Sequence, residues 1–214
     1  GYDLVGADIE IDSAGKIFVT AQAEPTAGLR ATFIYRFSAD GVFEAKLDAS
    51  GDIPGSEVGL DSIIQSDGKI VTVARRGDDL IVFRQNADGT LDTSFATIGY
   101  TVIDSSVDVS YDALLGLQAD GSILLAVPTQ DGDPLSPTPM IWRFTSDGEL
   151  DTSFGTNGSI TGPAMDNLSF AFAPDGGILV TGTINDGGVL SAALVRYTAD
   201  GFPDGDFGRG GEIR

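Results

Sequence analysis

An all-β chain of four similar four-stranded units is the fold class this sequence predicts, and three observations carry it. The block DGTLDTSFATIG at Asp88–Gly99 returns as DGELDTSFGTNG at Asp147–Gly158, with looser copies at Asp40–Gly51 and Asp200–Gly211. A second marker reads SAGKI, SDGKI, ADGSI and PDGGI, with glycines at Gly15, Gly68, Gly121 and Gly176, so its steps are 53, 53 and 55 residues. No long segment holds the helical apolar period without a glycine interrupting it. Self-similarity at a fixed period is the mark of a repeat architecture. Stacked four-stranded antiparallel units of this length are the blades of a β-propeller-like fold.

The second unit shows how each element arises. A strand, LDSIIQ, meets the turn SDGK, where glycine accepts the positive φ that strains other residues. The strand IVTVAR follows, then the loop RGDD and the strand LIVFRQ. The turn NADG opens the long marker, and YTVID closes the unit. These strands, A to D in order, are β-branched and apolar on both sides, as expected of sheets covered on two faces. The units fall near residues 1–53, 54–104, 105–160 and 161–214, within a single repeat domain of 1–214.

Aligned without gaps, the four long markers read D-G-x-x-[D/E]-x-x-[F/L]-x-x-x-G, and an arginine stands five residues before the first glycine each time: Arg36, Arg84, Arg143 and Arg196. The Asp of LDTSF is suited to cap a tight turn by accepting backbone N–H bonds. Phe95, Phe154 and Phe207, with Leu47 in the first unit, are the expected plugs between blades. The repeated arginines are expected to clamp the marker through a carboxylate, since a ring of anion-binding arginines would compete with those same acids.

The pattern DGKI…R…ADGTLDTSF…G resembles the delta-60 repeat family, β-propeller-like repeats of large bacterial secreted or surface proteins. The second and third units match best; the first lacks LDTSF, and the fourth reads FPDGDF in its place. The resemblance covers nearly the whole chain and implies an extracellular or cell-surface setting, with no activity attached.

Composition narrows the function classes. The net charge is −20, with 32 acidic residues against 12 Lys and Arg. Such a surface repels phosphate backbones and anionic lipid, which disfavours nucleic-acid binding and membrane insertion. The absence of Cys and His removes thiol, Ser-His-Asp and His-metal chemistry. The opening residues GYDLVGADIE are polar and strand-like, not a signal peptide, which suggests a chain cut from something larger. The last marker leaves only EIR for a final strand, so the N-terminus is expected to supply the outer strand of the last blade and close the ring. The alternative is an open arc or a fragment of a larger propeller.

Variation is concentrated. The A–B turn and the C–D marker keep their lengths. From marker glycine to marker glycine, the B–C stretch runs 26, 21, 27 and 25 residues and the D–A stretch 17, 22 and 18. In an antiparallel blade the constant turns share one end and the variable ones the other. Scaffolds carry recognition on variable loops held by rigid elements. The candidate face comprises 21–31, 74–79, 104–112, 128–139, 161–167 and 184–188. Its candidate binding residues are Arg30, Arg76, Asp78, Asp108, Tyr111, Asp112, Asp131, Asp133, Asn185 and Asp186. The tripeptide Arg76-Gly77-Asp78 reads as a hairpin turn, not an integrin-type motif.

The Asp-rich turns make calcium the one candidate cofactor, although the chain lacks a full calcium loop and Asp-Gly is the ordinary hairpin pair. Asp8 and Asp61 hold equal offsets on strand A, but Leu114 and Ser169 break the acidic ring, and Trp142 reads as core. The expected function is a non-catalytic binding or spacer module of a large bacterial extracellular protein, with a protein or glycan as partner. A carboxylate- or calcium-assisted hydrolase or lyase in the channel is the alternative.

Overall fold

Among the described residues, apolar β-branched runs separated by Asp-Gly turns become sixteen strands in four sheets. The structure is a computed structural model that describes residues 3–24, 31–48, 53, 58–77, 79–103, 113–129 and 138–214. The first sheet holds β1 (Asp3–Ile11), β2 (Ile17–Glu24), β3 (Ala31–Phe37) and β4 (Phe43–Asp48). The second holds β5 (Val58–Ile64), β6 (Ile70–Arg76), β7 (Asp79–Gln85) and β8 (Tyr100–Ile103). The third holds β9 (Leu114–Leu117), β10 (Ile123–Thr129), β11 (Thr138–Phe144) and β12 (Ser159–Thr161). The fourth holds β13 (Asp166–Phe172), β14 (Ile178–Asp186), β15 (Val189–Tyr197) and β16 (Glu212–Ile213). All are antiparallel meanders in chain order, and no helix occurs among the described residues.

The chain forms two compact units: Gly1–Ser105 with Asp147–Glu149, and Ser106–Ser146 with Leu150–Arg214. Within the first, Phe18, Ile34, Leu47 and Ile53 on the forward side of the first blade pack against Ile70, Ala74, Ile81 and Phe83 on the rear side of the second. Within the other, Leu124, Ala126, Ile141 and Phe154 of the third blade meet Ile178, Val180, Val195 and Tyr197 of the fourth. The two cores use matching positions, which is why the same sequence pattern recurs.

Strand A carries a bulge in three blades, at Gly6/Asp8, Gly59/Asp61 and Asp166/Ser169. Gly59 sits beneath Thr32 of the first blade, whose hydroxyl accepts its N–H.

The N-terminal clasp is not what forms. β1 belongs to the first sheet, and the outer strand of the fourth is β16, from the chain's own C-terminal residues. Two residues suffice for that strand because the third blade closes its sheet with only three, in β12. Among the described residues no strand is shared between two sheets.

Candidate functional site

The marker is built around strand C of each blade. In the second blade the Arg84 N–H donates to Gly99 O at 3.2 Å, and Arg84 O accepts from Asp92 N at 2.9 Å, so one residue holds both ends of the loop. Arg143 does the same with Gly158 and Asp151, and Arg196 with Gly211 and Asp204. The guanidinium then meets the acid eight residues on. The distances are 3.0 Å for Arg36–Glu44, 2.8 Å for Arg84–Asp92, 2.8 Å for Arg143–Asp151 and 2.9 Å for Arg196–Asp204.

The acid in LDTSF has two tasks. Asp92 Oδ2 faces Arg84 and Lys69, the latter at 3.0 Å, while Oδ1 accepts from Ser94 N at 3.1 Å and Ser94 Oγ at 2.6 Å. Burial pushes this carboxyl up, but the Ser94, Lys69 and Arg84 contacts outweigh it and hold Asp92 well below the usual carboxylate range. Asp151 is lowered in the same way, chiefly by the Ser153 hydroxyl.

The arginines also reach the following blade. Arg36 Nη1 donates to Ala87 O at 2.7 Å, and Arg143 Nη1 to Ala199 O at 2.6 Å. Both acceptors immediately precede the Asp-Gly of the next marker. The plugs go to the same place. A Cβ on Gly89 would stand 3.1 Å from Leu47, one on Gly148 2.5 Å from the Phe95 ring, and one on Gly201 2.7 Å from Phe154. Gly89, Gly148 and Gly201 therefore each have positive φ and a plug lying where a side chain would be. The residue after the plug adds a backbone bond, Ala96 N to Asp147 O at 2.6 Å and Gly155 N to Asp200 O at 2.8 Å. These sockets were not read from the sequence, where the glycine already had a sufficient explanation as a turn residue.

Of the candidate binding residues, Arg30, Asp78, Asp108, Tyr111, Asp112, Asp131 and Asp133 lie outside the described residues, as does all of 104–112. Arg76 ends β6, stands 3.9 Å from Asp79 and lies over the Tyr100 ring at 5.5 Å. Asn185 and Asp186 are strand residues, paired with Leu190 and Val189, so the fourth B–C connection shrinks to the turn Gly187-Gly188. Asn185 Oδ1 accepts from Gly188 N at 2.8 Å. The expected loop at 184–188 is thus a tight hairpin, because two glycines with positive φ let the strands run to their ends. Likewise Arg76 and Asp79 pair directly, so β6 and β7 are separated by two positions only. Pro128, Thr129, Thr138 and Pro139 belong to β10 and β11, and only 130–137 remains between them. Trp142 is partly buried on β11.

The Asp-Gly turns close on themselves. Asp88 Oδ1 accepts from Thr90 N at 3.0 Å and Thr90 Oγ1 at 2.7 Å. Among the described residues no group of three or more acids comes together as a metal would require. On strand A, Asp8 and Glu10 share the forward face of the first blade, opposite Thr20 and Phe18. Burial first, and Asp8 second, raise the Glu10 carboxyl. Alternation along β1 was the signal available for Glu10. No described helix is long and apolar enough to cross a membrane.

Residues 65–95, 118–154 and 173–207 match the family model described as a domain of unknown function (DUF5122) beta-propeller. This is a chain of β-propeller repeats. Each matched segment runs from an A–B turn into a long marker and ends on its plug, Phe95, Phe154 or Phe207. A comparison with curated proteins finds no match. Among solved structures, the chain is similar to the beta-propeller domain of the Trilobed protease from Pyrococcus furiosus, at 11% identity and a TM-score of 0.55, covering 92% of this chain and 55% of that one. It is similar to the Hadza microbial sialidase Hz136 at 14% identity and a TM-score of 0.56, covering 90% and 44% respectively. A glucose dehydrogenase matches at 12% identity and a TM-score of 0.55, covering 95% and 74%. The chain thus spans about half of the first two, and the likeness concerns the fold alone.

Proposed function

We propose that these propeller repeats form a non-catalytic binding or spacer module of a large bacterial extracellular or cell-surface protein, of the delta-60 repeat kind, without nucleic-acid binding or membrane insertion. Recognition of a protein or a glycan would fall to the blade ends that carry the B–C and D–A connections. One observation carries this reading: the charged groups of the constant marker are engaged with one another and with the next blade's backbone. The four marker arginines each hold a carboxylate of their own loop, so they offer no ring of free cations to a ligand. Length variation is left to the opposite ends, and the connection at 128–139, with its Pro and Asp content, is the strongest candidate contact.

The test is a glycan and peptide array with the intact protein, with and without calcium. Replacement of 130–137 by the Gly-Gly turn of the fourth blade is expected to abolish a hit seen with the native chain. A hit that survives this replacement and the shortening of every other variable connection would overturn the reading.

A second reading, a carboxylate-assisted hydrolase, draws support from the Asp8–Glu10 pair, where a raised Glu10 carboxyl is suited to donate a proton. It predicts glycoside or ester turnover that Glu10→Gln removes. Native protein without turnover on such substrates would end it.

A further inference from the structure

Two substitutions set the fourth marker apart from the second and third. Leu91 follows Thr90 and Leu150 follows Glu149, but Pro203 follows Phe202. The backbone register is unchanged, since Gln85 bridges Leu91, Phe144 bridges Leu150 and Tyr197 bridges Pro203. The side chains are used differently. Leu91 and Leu150 lie over the closing glycines of their own markers, 2.8 Å from where a Cβ of Gly99 or Gly158 would stand. Phe202 and Pro203 instead line a cavity of about 440 Å³ inside the second compact unit, where the fourth blade meets the third.

The third blade supplies the other wall, from its closing turn and from β12: Gly155, Thr156, Ser159, Ile160 and Thr161. The Thr156 N–H donates to Ser159 O at 2.8 Å and Ser159 Oγ donates to Thr156 O at 3.4 Å, so this wall is braced on itself. Tyr197 reaches the same space from β15. It is 5% exposed, yet among the described residues its hydroxyl holds no hydrogen bond. Gly162 makes room for that hydroxyl, because a Cβ there would stand 3.1 Å from the phenol oxygen.

The corresponding place between the first and second blades is bridged. Gln85 occupies the register of Tyr197, and its Nε2 donates to Asp48 O of the first blade at 3.1 Å and to Gly89 O of its own turn at 2.7 Å. The amide ties the two blades together there. Tyr197 makes no such tie, and a buried hydroxyl without a partner opposes folding unless something else supplies one.

The lining defines what that something is. Among the described residues around the cavity none is charged. Its polar groups are the hydroxyls of Thr156, Ser159, Thr161 and Tyr197, and its apolar walls are Phe202, Pro203 and Ile160. Hydroxyls both donate and accept, which suits a ligand whose own groups do both. An ion would find no counter-charge, and a wholly apolar ligand would strand the hydroxyls. A sugar ring has hydroxyls at its rim and a face of C–H bonds to lay on an aromatic ring. The volume is within the range of small-molecule sites.

We propose that this cavity binds a neutral hexopyranose unit, stacked on Phe202 with its hydroxyls on Tyr197 Oη and the threonines of the third blade. The site is separate from the variable connections. Tyr197→Phe leaves 130–137 in place, and replacement of 130–137 leaves every lining residue in place, so the two readings fail separately.

Isothermal titration calorimetry of the intact protein tests this with methyl glucoside, methyl galactoside and methyl mannoside, and with lactose and cellobiose. The methyl glycosides stand for a free sugar and the disaccharides for a glycan end, so the tighter arm names the source. Trp142, the single tryptophan, pairs with Ser159 across β11 and β12, and its emission is expected to change as the cavity fills. Saturable binding is expected, weakened about tenfold by Tyr197→Phe and by Phe202→Ala. Methyl glucuronate, which adds one carboxylate to the glucoside, is expected to bind more weakly. No saturable binding of any of these sugars would mean a cavity filled by water alone and overturns the proposal. So does an affinity that neither variant changes, or tighter binding of the glucuronate. Phe202 lies on a turn outside the buried core, so Phe202→Ala reads on the site even if Tyr197→Phe does not fold.

Discussion

The second and fourth markers hold the same loop in different surroundings. In the second, the Arg84 side chain is 4% exposed, Lys69 adds a second cation to Asp92, and Phe95 is sealed against Gly148. In the fourth, the Arg196 side chain is 22% exposed and Phe207 is partly open. The backbone bonds are nevertheless the same: Phe95 N to Asp92 O at 3.0 Å and Phe207 N to Asp204 O at 2.9 Å. The loop geometry is therefore local, set by the glycines and the capping acid. The side chains of LDTSF answer to the neighbouring blade. In the fourth marker the sequence departs to PDGDF and the loop still closes.

The largest expected effect separates a sealed plug from an open one. Phe154→Ala removes a fully buried ring from the core of its unit, a change that costs about 3–5 kcal/mol. Phe207→Ala is expected to cost about 1 kcal/mol or less, because partial exposure limits the area lost. Urea unfolding followed by far-ultraviolet circular dichroism measures both. Equal costs would mean that the plug acts within its own loop and not across the junction.

The next effect concerns the acids. Asp92→Asn leaves Arg84 buried with its charge uncompensated on one side, and the expected cost at neutral pH is about 2–3 kcal/mol. Asp204→Asn, at a more exposed pair, is expected to cost below about 1 kcal/mol. The pH dependence has a definite sign. The folded-state pKa of Asp92 lies below its unfolded value, so its contribution is complete above the ordinary carboxylate range and is lost as pH falls toward the folded value. The gap between native protein and Asp92→Asn should therefore narrow steadily below about pH 4. A gap that is constant across that range would remove the charge from the explanation.

Most of the fold is legible in the sequence because its signals are local. Asp-Gly pairs at a fixed period mark the hairpins, and the spacing of arginine to acid places Arg84 and Asp92 on facing positions of one loop. The sockets are not legible. Gly148 and Gly201 look like ordinary turn glycines, and only the ring of the preceding plug reveals their second constraint. The ends of the variable connections are also hidden, since nothing in INDGG separates a projecting loop from strands that run on to a two-glycine turn. The clasp failed for a related reason. Counting residues after Gly211 suggested too little chain for a strand, whereas β15 needs only Glu212 and Ile213 to complete its sheet.

The smallest effect tests the one position where the second blade breaks the pattern of its neighbours. Thr72 on β6 is fully buried and its Oγ1 has no hydrogen-bond partner among the described residues, while Val19, Leu125 and Val180 hold the equivalent positions. A hydroxyl taken from water without a partner opposes folding, and valine has nearly the same shape. Thr72→Val is expected to stabilise the first unit by about 1 kcal/mol. Thr20→Val, in the same unit, is the control. Its hydroxyl is bonded to that of Ser62, and removal leaves Ser62 buried and unpaired, so the sign should reverse. Opposite shifts of the two urea midpoints would separate polar satisfaction from shape at this junction. A loss of stability in Thr72→Val would instead show that its hydroxyl is satisfied in solution, by a water held between the first and second blades.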